Sequence, residues 1–260
     1  MSNTKIIVAT HKKYTMPDSD TYLPIHVGAE GKDDLGYTKD CSGDNISIKN
    51  PNFCELTGLY WAWKNLDCDV IGLVHYRRYF GGKLKFKVND KTKYIISENE
   101  IKNKLSKVDF ILPKKRNYLI ETLYSHYSHT MYVEPLDMTG EIIKEKYPEY
   151  LKEFEKLKKR RSAHMFNMFI CKKTLLNKYC EWLFPILFEL ESRVDSSKYS
   201  SFHARFYGRI SELLFDVWLN TNKLTYVETK LVNIEKVNWW KKGMSFLRAK
   251  FKKEKYGKSF

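Results

Sequence analysis

The sequence has few of the features that mark a secreted, zinc-binding or membrane-spanning protein. Its five cysteines are odd in number and widely spaced, and no two of them form a CxxC pair. This pattern favours neither a disulfide framework nor a zinc site, so we expect reduced thiols in a cytosol. No apolar stretch approaches the roughly 20 residues that a membrane-spanning helix needs. We therefore expect a chain that is soluble or peripheral to a membrane.

Common nucleotide-binding signatures are also missing. The sequence contains neither GxGxxG nor GxxxxGK[ST], so it lacks the motifs of dinucleotide-binding proteins and P-loop ATPases. A DxD match is present at Asp67-Cys68-Asp69, but it precedes an apolar run at 70–74. Ligands of open α/β sheets bind beyond the carboxyl ends of the strands. We therefore predict that these aspartates form a turn at the opposite edge of the sheet, and we expect no metal site.

Positive charge is the clearest bias in the composition. The formal net charge is +15 and the pI is near 9.4, and residues 239–260 hold eight basic residues against a single acidic one, Glu254. Such a chain attracts polyanions, which include nucleic acid, anionic lipid and phosphorylated small substrates. Net charge by itself does not choose among them.

Hydrophobic periodicity predicts an α/β fold. Strand-like apolar runs lie at 5–10, 23–27, 70–74, 108–112, 165–170 and 224–229, and helical patterns lie at 53–65, 97–105, 137–146, 148–161, 174–192 and 209–221. The alternation of strand and helix in the first half predicts a mainly parallel central sheet, and the second half is mainly helical. We assign residues 1–235 to one domain and residues 236–260 to a basic C-terminal tail.

Cationic residues follow one buried strand directly. The run at 70–74 ends in His75, Tyr76, Arg77 and Arg78, where an α/β sheet places its ligands. The planar fork of arginine matches phosphate oxygens, so these residues predict a diphosphate site. The alternative is that one arginine pairs with a buried carboxylate and the other is solvated.

Other strand ends point to the same crevice. Thr10, His11 and Lys12 end the first strand, and His26 and Gly28 end the second. Gly28 would permit a close approach of the backbone to a ligand. Ordinary loop chemistry is the alternative for all five residues.

Several polar residues suit the recognition of sugar hydroxyl groups. They lie near an aromatic helix, in a histidine- and tyrosine-rich segment, or in an apolar strand, and they are Asn45, Glu55, His126, His129, His164 and Asn167. An amide inside a strand, as predicted for Asn167, requires a partner or a ligand. A satisfied structural asparagine is the alternative.

Glu212 is the candidate catalytic base. The sequence places it in the first turn of an apolar helix. A carboxylate there can act as a base whose pKa is set by burial and by its neighbours. It can also simply favour the helix dipole.

The tail mixes large apolar residues with lysine and arginine. Its apolar members are Trp239, Trp240, Phe246, Leu247 and Phe251. This composition is typical of a helix that lies on anionic lipid. A solvated basic tail is the alternative, and no RNA- or DNA-binding module accompanies the charge.

Six segments together resemble a family of bacterial capsular and exopolysaccharide glycosyltransferases that includes galactofuranosyltransferases. They are KIIVATHK, YLPIHVGA, DNISIKNPNFCELTGLYWAWKN, DVIGLVHYRRYF, AHMFNMFICKK and GRISELLFDVWL. The resemblance implies a GT-A-like fold, a UDP-sugar donor with galactofuranose as the family-level expectation, and a lipid-linked acceptor. It implies work in capsule or exopolysaccharide synthesis, in the cytoplasm on the inner face of the cell membrane.

Within that resemblance, HYRRY stands in the usual place of the DxD motif, which implies transfer without a metal or other cofactor. Asn167 would face the donor sugar or the acceptor, and Glu212 would occupy the position of the base of inverting enzymes. Two alternatives from other classes stay open. They are a basic nucleic-acid-binding protein and a non-catalytic membrane-associated scaffold of polysaccharide assembly, although we expect no nucleic-acid partner.

Overall fold

The computed structural model describes residues 3–83 and 90–235. These residues form eleven strands: β1 Thr4–Thr10, β2 Tyr22–His26, β3 Thr38–Lys39, β4 Val70–His75, β5 Arg78–Phe80, β6 Phe110–Pro113, β7 Arg116–Asn117, β8 Ser162–Ala163, β9 Phe169–Lys172, β10 Tyr226–Thr229 and β11 Leu231–Asn233. The same ranges hold eight α-helices: α1 Asn50–Phe53, α2 Leu56–Asn65, α3 Glu98–Leu105, α4 Leu123–Thr130, α5 Glu134–Lys146, α6 Pro148–Lys159, α7 Lys173–Arg193 and α8 Phe206–Thr221.

Nine of the strands form one sheet. Its main order is β10-β6-β9-β4-β1-β2-β3, with β5 and β11 added beside β4. The strand β1 lies parallel to both β2 and β4, and β6 lies parallel to β10, whereas β9 runs antiparallel to its two neighbours. The predicted α/β class with a mainly parallel central sheet is confirmed.

The sheet is covered on both faces, which explains the continuous apolar runs of its central strands. In β1, Ile7 packs into the larger core cluster with the helices of the second half of the chain, and Val8 packs into the smaller cluster with α3. Successive side chains of a strand point to opposite faces. A buried strand of this kind therefore reads as apolar at nearly every position.

Local signals fix several helix ends. Ser97 and Glu100 form a capping box at the start of α3, because each side chain accepts a hydrogen bond from the other residue's backbone amide. The helix predicted over 53–65 is instead broken into α1 and α2 at Cys54, which has a φ of 54°. The break presents Glu55 at the junction of the two helices.

Two further boundaries differ from the prediction. The strand predicted over 165–170 begins only at Phe169, because Phe166 and Asn167 adopt positive φ angles of 79° and 53° and form a turn. The last long helix begins at Phe206 instead of 209, so Glu212 lies in its second turn and not its first. The prediction that Asn167 lies within a strand is therefore wrong.

Candidate active site

One edge of the sheet collects the predicted ligand-binding segments. The parallel register aligns Thr10 with His26 and Ala9 with His75, so β1, β2 and β4 end together. The strand β6 ends at this same edge, because both β6 and β4 run antiparallel to β9. The segment after β6 therefore begins there. The turn before β9 reaches the edge from the opposite direction. Segments that are far apart in sequence therefore meet where open α/β sheets bind ligands.

The ends of β1 and β4 carry exposed cations around aromatic rings. The His11 ring meets Tyr76 edge-on at 5.5 Å between centroids, and the Lys12 ammonium group lies 5.1 Å from the centre of the Tyr76 ring. Burial lowers the pKa of His11, and four neighbouring positive charges lower it further: Lys12, Arg77, Lys32 and Arg205. We call His11, Lys12, Tyr76, Arg77 and Arg78, which end β1 and β4, the cationic rim.

A tight hairpin presents the two predicted arginines. His75 pairs with Arg78 across the turn that joins β4 to β5, and the intervening Tyr76 is buried. The Arg77 guanidinium group is 42% exposed and lies 3.4 Å from Glu235. The Arg78 guanidinium group lies over the Phe166 ring at 3.9 Å, and its Nε donates to Asn233 at 3.4 Å. Both long contacts leave donor capacity for an anion.

Three other residues predicted for this crevice support its loops. The Thr10 hydroxyl donates to the Lys12 carbonyl at 2.7 Å. His26 is buried, and its Nδ1 has no hydrogen-bond partner among the described residues. Gly28 has a φ of +64°, and a side chain there would overlap Asn50. The strain and the overlap explain why this turn needs glycine.

A buried carboxylate that the sequence did not reveal organises this half of the edge. Asp40 is fully buried and accepts hydrogen bonds from the backbone amides of Gly28 and Ala29 at 2.7 and 3.0 Å. It also accepts from the hydroxyls of Ser47 and Thr57 at 2.5 and 2.6 Å. Four donors satisfy the charge, which would otherwise be costly to bury.

A second polar group forms where α8 meets the turn before β9. The Asn167 amide donates to Glu55 at 2.8 Å and to the Gly208 carbonyl at 3.1 Å, and its oxygen accepts from Ser211 at 2.8 Å. Asn167 is 7% exposed. This amide is fully used as a bridge between Glu55 and α8, so it fixes the Glu55 carboxylate beside the helix.

Glu212 lies beside this bridge. It is 5% exposed, and its buried Oε2 atom accepts no hydrogen bond from the residues that the structure describes. Burial raises the pKa of Glu212, while Arg209, at 3.6 Å from Oε1, lowers it. Glu55 raises this pKa, and Arg116 and Arg78 lower it. A buried carboxylate with an unused oxygen and a raised pKa is suited to accept a proton.

We call Glu55, Asn167, Arg209, Ser211 and Glu212 the carboxylate pocket. His75 connects it to the cationic rim, because the His75 Nε2–H donates to the carbonyl oxygen of Phe166 at 2.7 Å, directly before Asn167. Burial lowers the pKa of His75, which favours the neutral ring. The histidine that ends β4 thus holds the turn that carries Asn167.

The predicted histidine pair is organised by another buried acid. Nδ1 of His126 and Nδ1 of His129 each lie 3.1 Å from a different oxygen of Glu121, which is 5% exposed. Arg116 and Arg209 both lower the pKa of His126, although burial has the largest effect. One of the charges that act on His126 therefore belongs to the carboxylate pocket, namely Arg209. Its role in sugar binding stays a prediction.

Two predicted sugar ligands, His164 and Asn45, are hydrogen-bonded to other groups of the chain, and their roles in sugar binding stay predictions. His164 is buried, with Nδ1 2.5 Å from Asp216 and Nε2 3.2 Å from Glu228. Asn45 closes a turn in its own loop, where it accepts from the Ser47 amide and donates to the Gly43 carbonyl. These contacts satisfy both side chains locally.

The sequence and fold were compared with known proteins. Residues 5–223 match a family described as "Domain of unknown function (DUF4422)". The chain belongs to this family. No curated protein matches the chain significantly.

The fold of this chain is similar to a solved structure described as the apo structure of WbbM, a bifunctional glycosyltransferase. The TM-score is 0.83 at 28% sequence identity, and the match covers 90% of this chain. It covers only 46% of WbbM, so the chain spans about half the length of that protein. The similarity supports a GT-A-like α/β fold for this family member.

A metal-binding motif would stand at the carboxyl end of β4. The end of β4 and the turn after it hold His75, Tyr76, Arg77 and Arg78, which offer no carboxylate to a divalent cation. Asp67 and Asp69 lie at the amino end of β4, where Asp69 accepts from the Asn3 backbone amide at 2.7 Å. Over residues 3–83 and 90–235, no cluster of three or more histidine, cysteine or acidic side chains could hold a metal ion.

The apolar residues of the predicted tail, Trp239, Trp240, Phe246, Leu247 and Phe251, lie outside the described residues. Among the described helices, none is long and apolar enough to cross a membrane. Membrane association through the tail stays a prediction.

Proposed function

We propose that this protein is a glycosyltransferase that moves a sugar from a UDP-sugar, with galactofuranose as the first donor to test, to a saccharide acceptor. The observation that carries the proposal is Glu212, a buried carboxylate with an unused oxygen. It lies beside an arginine-rich strand end in a chain whose fold is similar to that of a glycosyltransferase. The similarity covers about half of WbbM, so it supports the class of reaction and not its substrates.

The proposed reaction is a direct displacement at the anomeric carbon. The acceptor hydroxyl oxygen forms the new bond to that carbon, and the bond from the carbon to the diphosphate oxygen breaks. UDP departs with the bonding electron pair, and Oε2 of Glu212 takes the proton of the acceptor hydroxyl. Arg77 and Arg78 stabilise the charge that develops on the diphosphate, which is the role that a metal plays in many such enzymes. The reaction as proposed needs no cofactor.

The positions of the arginines support a diphosphate-binding role for Arg77 and Arg78 beside the proposed base Glu212. Arg78 contributes to the electrostatics of both Arg77 and Glu212, because its own pKa is lowered by Arg77 and raised by Glu212, although burial has the largest effect. A diphosphate bound by both arginines would lie beside the turn that carries Asn167, because the Arg78 guanidinium group lies over the Phe166 ring. We propose a lipid-linked acceptor, the inner face of a bacterial membrane as the place of work, and capsule or exopolysaccharide synthesis as the process.

The experiment that tests this proposal is a UDP-release assay with a panel of UDP-sugars and saccharides on short lipid anchors, run with EDTA and with manganese. We expect release by the wild-type chain in EDTA. Glu212→Gln should lower kcat by about 100- to 10,000-fold, the usual contribution of a general base. The matched control is Glu181→Gln, an exposed glutamate on α7, which should keep full activity.

Fold integrity can be checked in the same variant. Because burial raises the pKa of Glu212, its ionised form costs stability at neutral pH, and this cost is lost progressively as the pH falls from the raised pKa to the ordinary pKa of glutamate. Glu212→Gln should therefore melt no lower than the wild-type chain at neutral pH. If the variant melts normally and still transfers sugar at the wild-type rate, Glu212 is not the base. RNA binding without UDP binding would contradict the proposed function as a whole.

A further inference from the structure

The segment between β6 and α4 exposes apolar and basic side chains together. Leu119 is 71% exposed and Ile120 is 56% exposed, which are among the highest exposures of large apolar residues in the described chain. They follow three consecutive exposed basic residues, Lys114, Lys115 and Arg116. Arg161 is also exposed and contacts this segment. We call these six residues the basic wedge.

The protein holds the basic wedge in a defined shape. The Asn117 side chain accepts from the Leu119 amide at 2.9 Å, and the Ile120 amide donates to the Tyr118 carbonyl at 2.6 Å. Leu119 has a φ of 53°, which is unfavourable for leucine. The Arg161 guanidinium group donates to the Leu119 carbonyl at 2.9 Å. The apolar tip is therefore held outward at a conformational cost, without burial in the chain's own core.

The charge of the basic wedge selects the kind of partner. The run from Lys114 to Ile120 contains no acidic residue. The Glu228 carboxylate accepts a hydrogen bond from the Lys115 backbone amide at 3.4 Å and lies 3.2 Å from His164, and Glu121 follows the segment directly. Two adjacent exposed apolar side chains with four basic residues in the same segment or bonded to it match the interface of an anionic bilayer, with acyl chains below negative head groups.

The basic wedge adjoins the carboxylate pocket. Arg116, its inner member, lowers the pKa of Glu212 and that of Arg78. The β7–β8 pairing holds Arg116 opposite Ala163, three residues before Phe166. Because β7 follows β6 at the edge of the sheet that carries the pocket, a bilayer that contacted the basic wedge would bring its head groups, and the hydroxyl group of a lipid-linked saccharide, to that edge.

We propose that the basic wedge is a membrane-docking surface of the folded domain that binds anionic lipid bilayers, and that it delivers a lipid-linked acceptor to the carboxylate pocket. Docking itself does not depend on the predicted tail or on turnover, whereas acceptor delivery rests on the proposed function. The two parts can therefore fail separately.

The test of docking is co-sedimentation of the full chain with vesicles of pure phosphatidylcholine and with vesicles of equal parts phosphatidylcholine and phosphatidylglycerol. The variant is Leu119→Asn combined with Ile120→Ser, because asparagine tolerates the left-handed backbone at position 119. Loss of two inserted apolar side chains should lower the partition coefficient on anionic vesicles about tenfold or more. The matched control is Ile48→Ser, since Ile48 is 77% exposed outside the wedge, and it should bind like the wild-type chain.

A second pair of variants separates the wedge from the tail. Lys114→Ala with Lys115→Ala should weaken binding to anionic vesicles by about fivefold for each charge removed. Its effect should be present both in the wild-type background and in a Trp239→Ala, Trp240→Ala background. Equal vesicle binding by the wild-type chain and the Leu119, Ile120 variant would overturn the proposal. So would a dimer that this variant dissociates, without any preference for anionic vesicles.

Acceptor delivery has its own readout. The Leu119, Ile120 variant should keep its turnover of a water-soluble acceptor and lose turnover of an acceptor embedded in anionic vesicles. Equal loss with both acceptors would contradict delivery while leaving docking intact. If no acceptor supports UDP release by the wild-type chain, the proposed function fails, and the vesicle measurement still decides whether the surface docks.

Discussion

The cationic rim and the carboxylate pocket lie along one edge of the sheet but are built in opposite ways. The rim places exposed lysine, arginine and histidine side chains on loops that follow β1 and β4, close to the aromatic ring of Tyr76. The pocket buries Glu212 and Asn167, and the Asn167 amide is saturated with hydrogen bonds. The first arrangement suits reversible capture of an anion, and the second suits a proton acceptor held in one position.

This difference follows from the energetics of charge. Exposed cations cost little to keep, so a binding rim can consist of residues that are adjacent in sequence. A buried carboxylate is tolerated only with partners. The arginines that favour the ionised form of Glu212 come from α8, β7 and β5, which are far apart in sequence. We therefore propose donor binding at the rim and chemistry at the pocket.

Removing both rim arginines should have the largest effect, and we expect it on the affinity for UDP. Arg77→Ala with Arg78→Ala should raise the dissociation constant for UDP by about 100-fold or more, because each charge-assisted hydrogen bond contributes about 1.5–3 kcal/mol. Isothermal titration calorimetry measures this constant. Lys178→Ala, an exposed lysine on α7, is the matched control. If the double variant retains both UDP binding and turnover, the diphosphate assignment is wrong.

A smaller effect is expected on the pH dependence of kcat/KM, and it should depend on the carboxylate pocket alone. Burial raises the pKa of Glu212 and Arg209 lowers it, so the acid limb of kcat/KM should lie above the usual range for glutamate, about 4.3. Arg209→Gln removes the lowering influence and should move the limb to higher pH. A pH–rate profile of the two proteins provides the measurement. A limb that stays in place, or moves to lower pH, would rule out Glu212 as the titrating base.

The smallest effect on chemistry is expected at Asp40, which supports the loops behind the rim. Asp40→Asn replaces one acceptor oxygen with a donor, so it should disrupt some of the four hydrogen bonds that the carboxylate accepts. We expect the free energy of unfolding to fall by about 1–3 kcal/mol, with kcat nearly unchanged. Chemical denaturation beside the activity assay checks both. A loss of kcat without a loss of stability would place Asp40 in the chemistry.

The sequence was sufficient to predict much of the rim and the framework of the sheet. The buried strands and the helix α3 are local patterns, and they were found close to their predicted positions. The cations of HYRRY follow β4 as expected. The short strands β3, β5, β7, β8 and β11 were not predicted, because runs of two or three residues carry no periodicity.

The pocket was predicted only in part. Glu55, Asn167 and Glu212 were candidates. Nothing in the sequence indicated that the Asn167 amide joins Glu55 to α8, the helix that carries Glu212. The positive φ angles of Phe166 and Asn167 ended an apolar run that resembled a strand. Asp40 and Glu121 were missed, since a buried acid is recognised by partners that only the fold brings together. The asparagine in an otherwise apolar segment was the one available signal for this turn.

The central claim is that binding and chemistry lie in different halves of the edge, and UDP binding to Glu212→Gln tests it most directly. Calorimetry in EDTA should give this variant the same UDP affinity as the wild-type chain, although its turnover is lost, whereas the Arg77, Arg78 double variant should lose affinity. If Glu212→Gln loses UDP binding together with activity, or if the wild-type chain binds UDP only with manganese, the division between the cationic rim and the carboxylate pocket is contradicted.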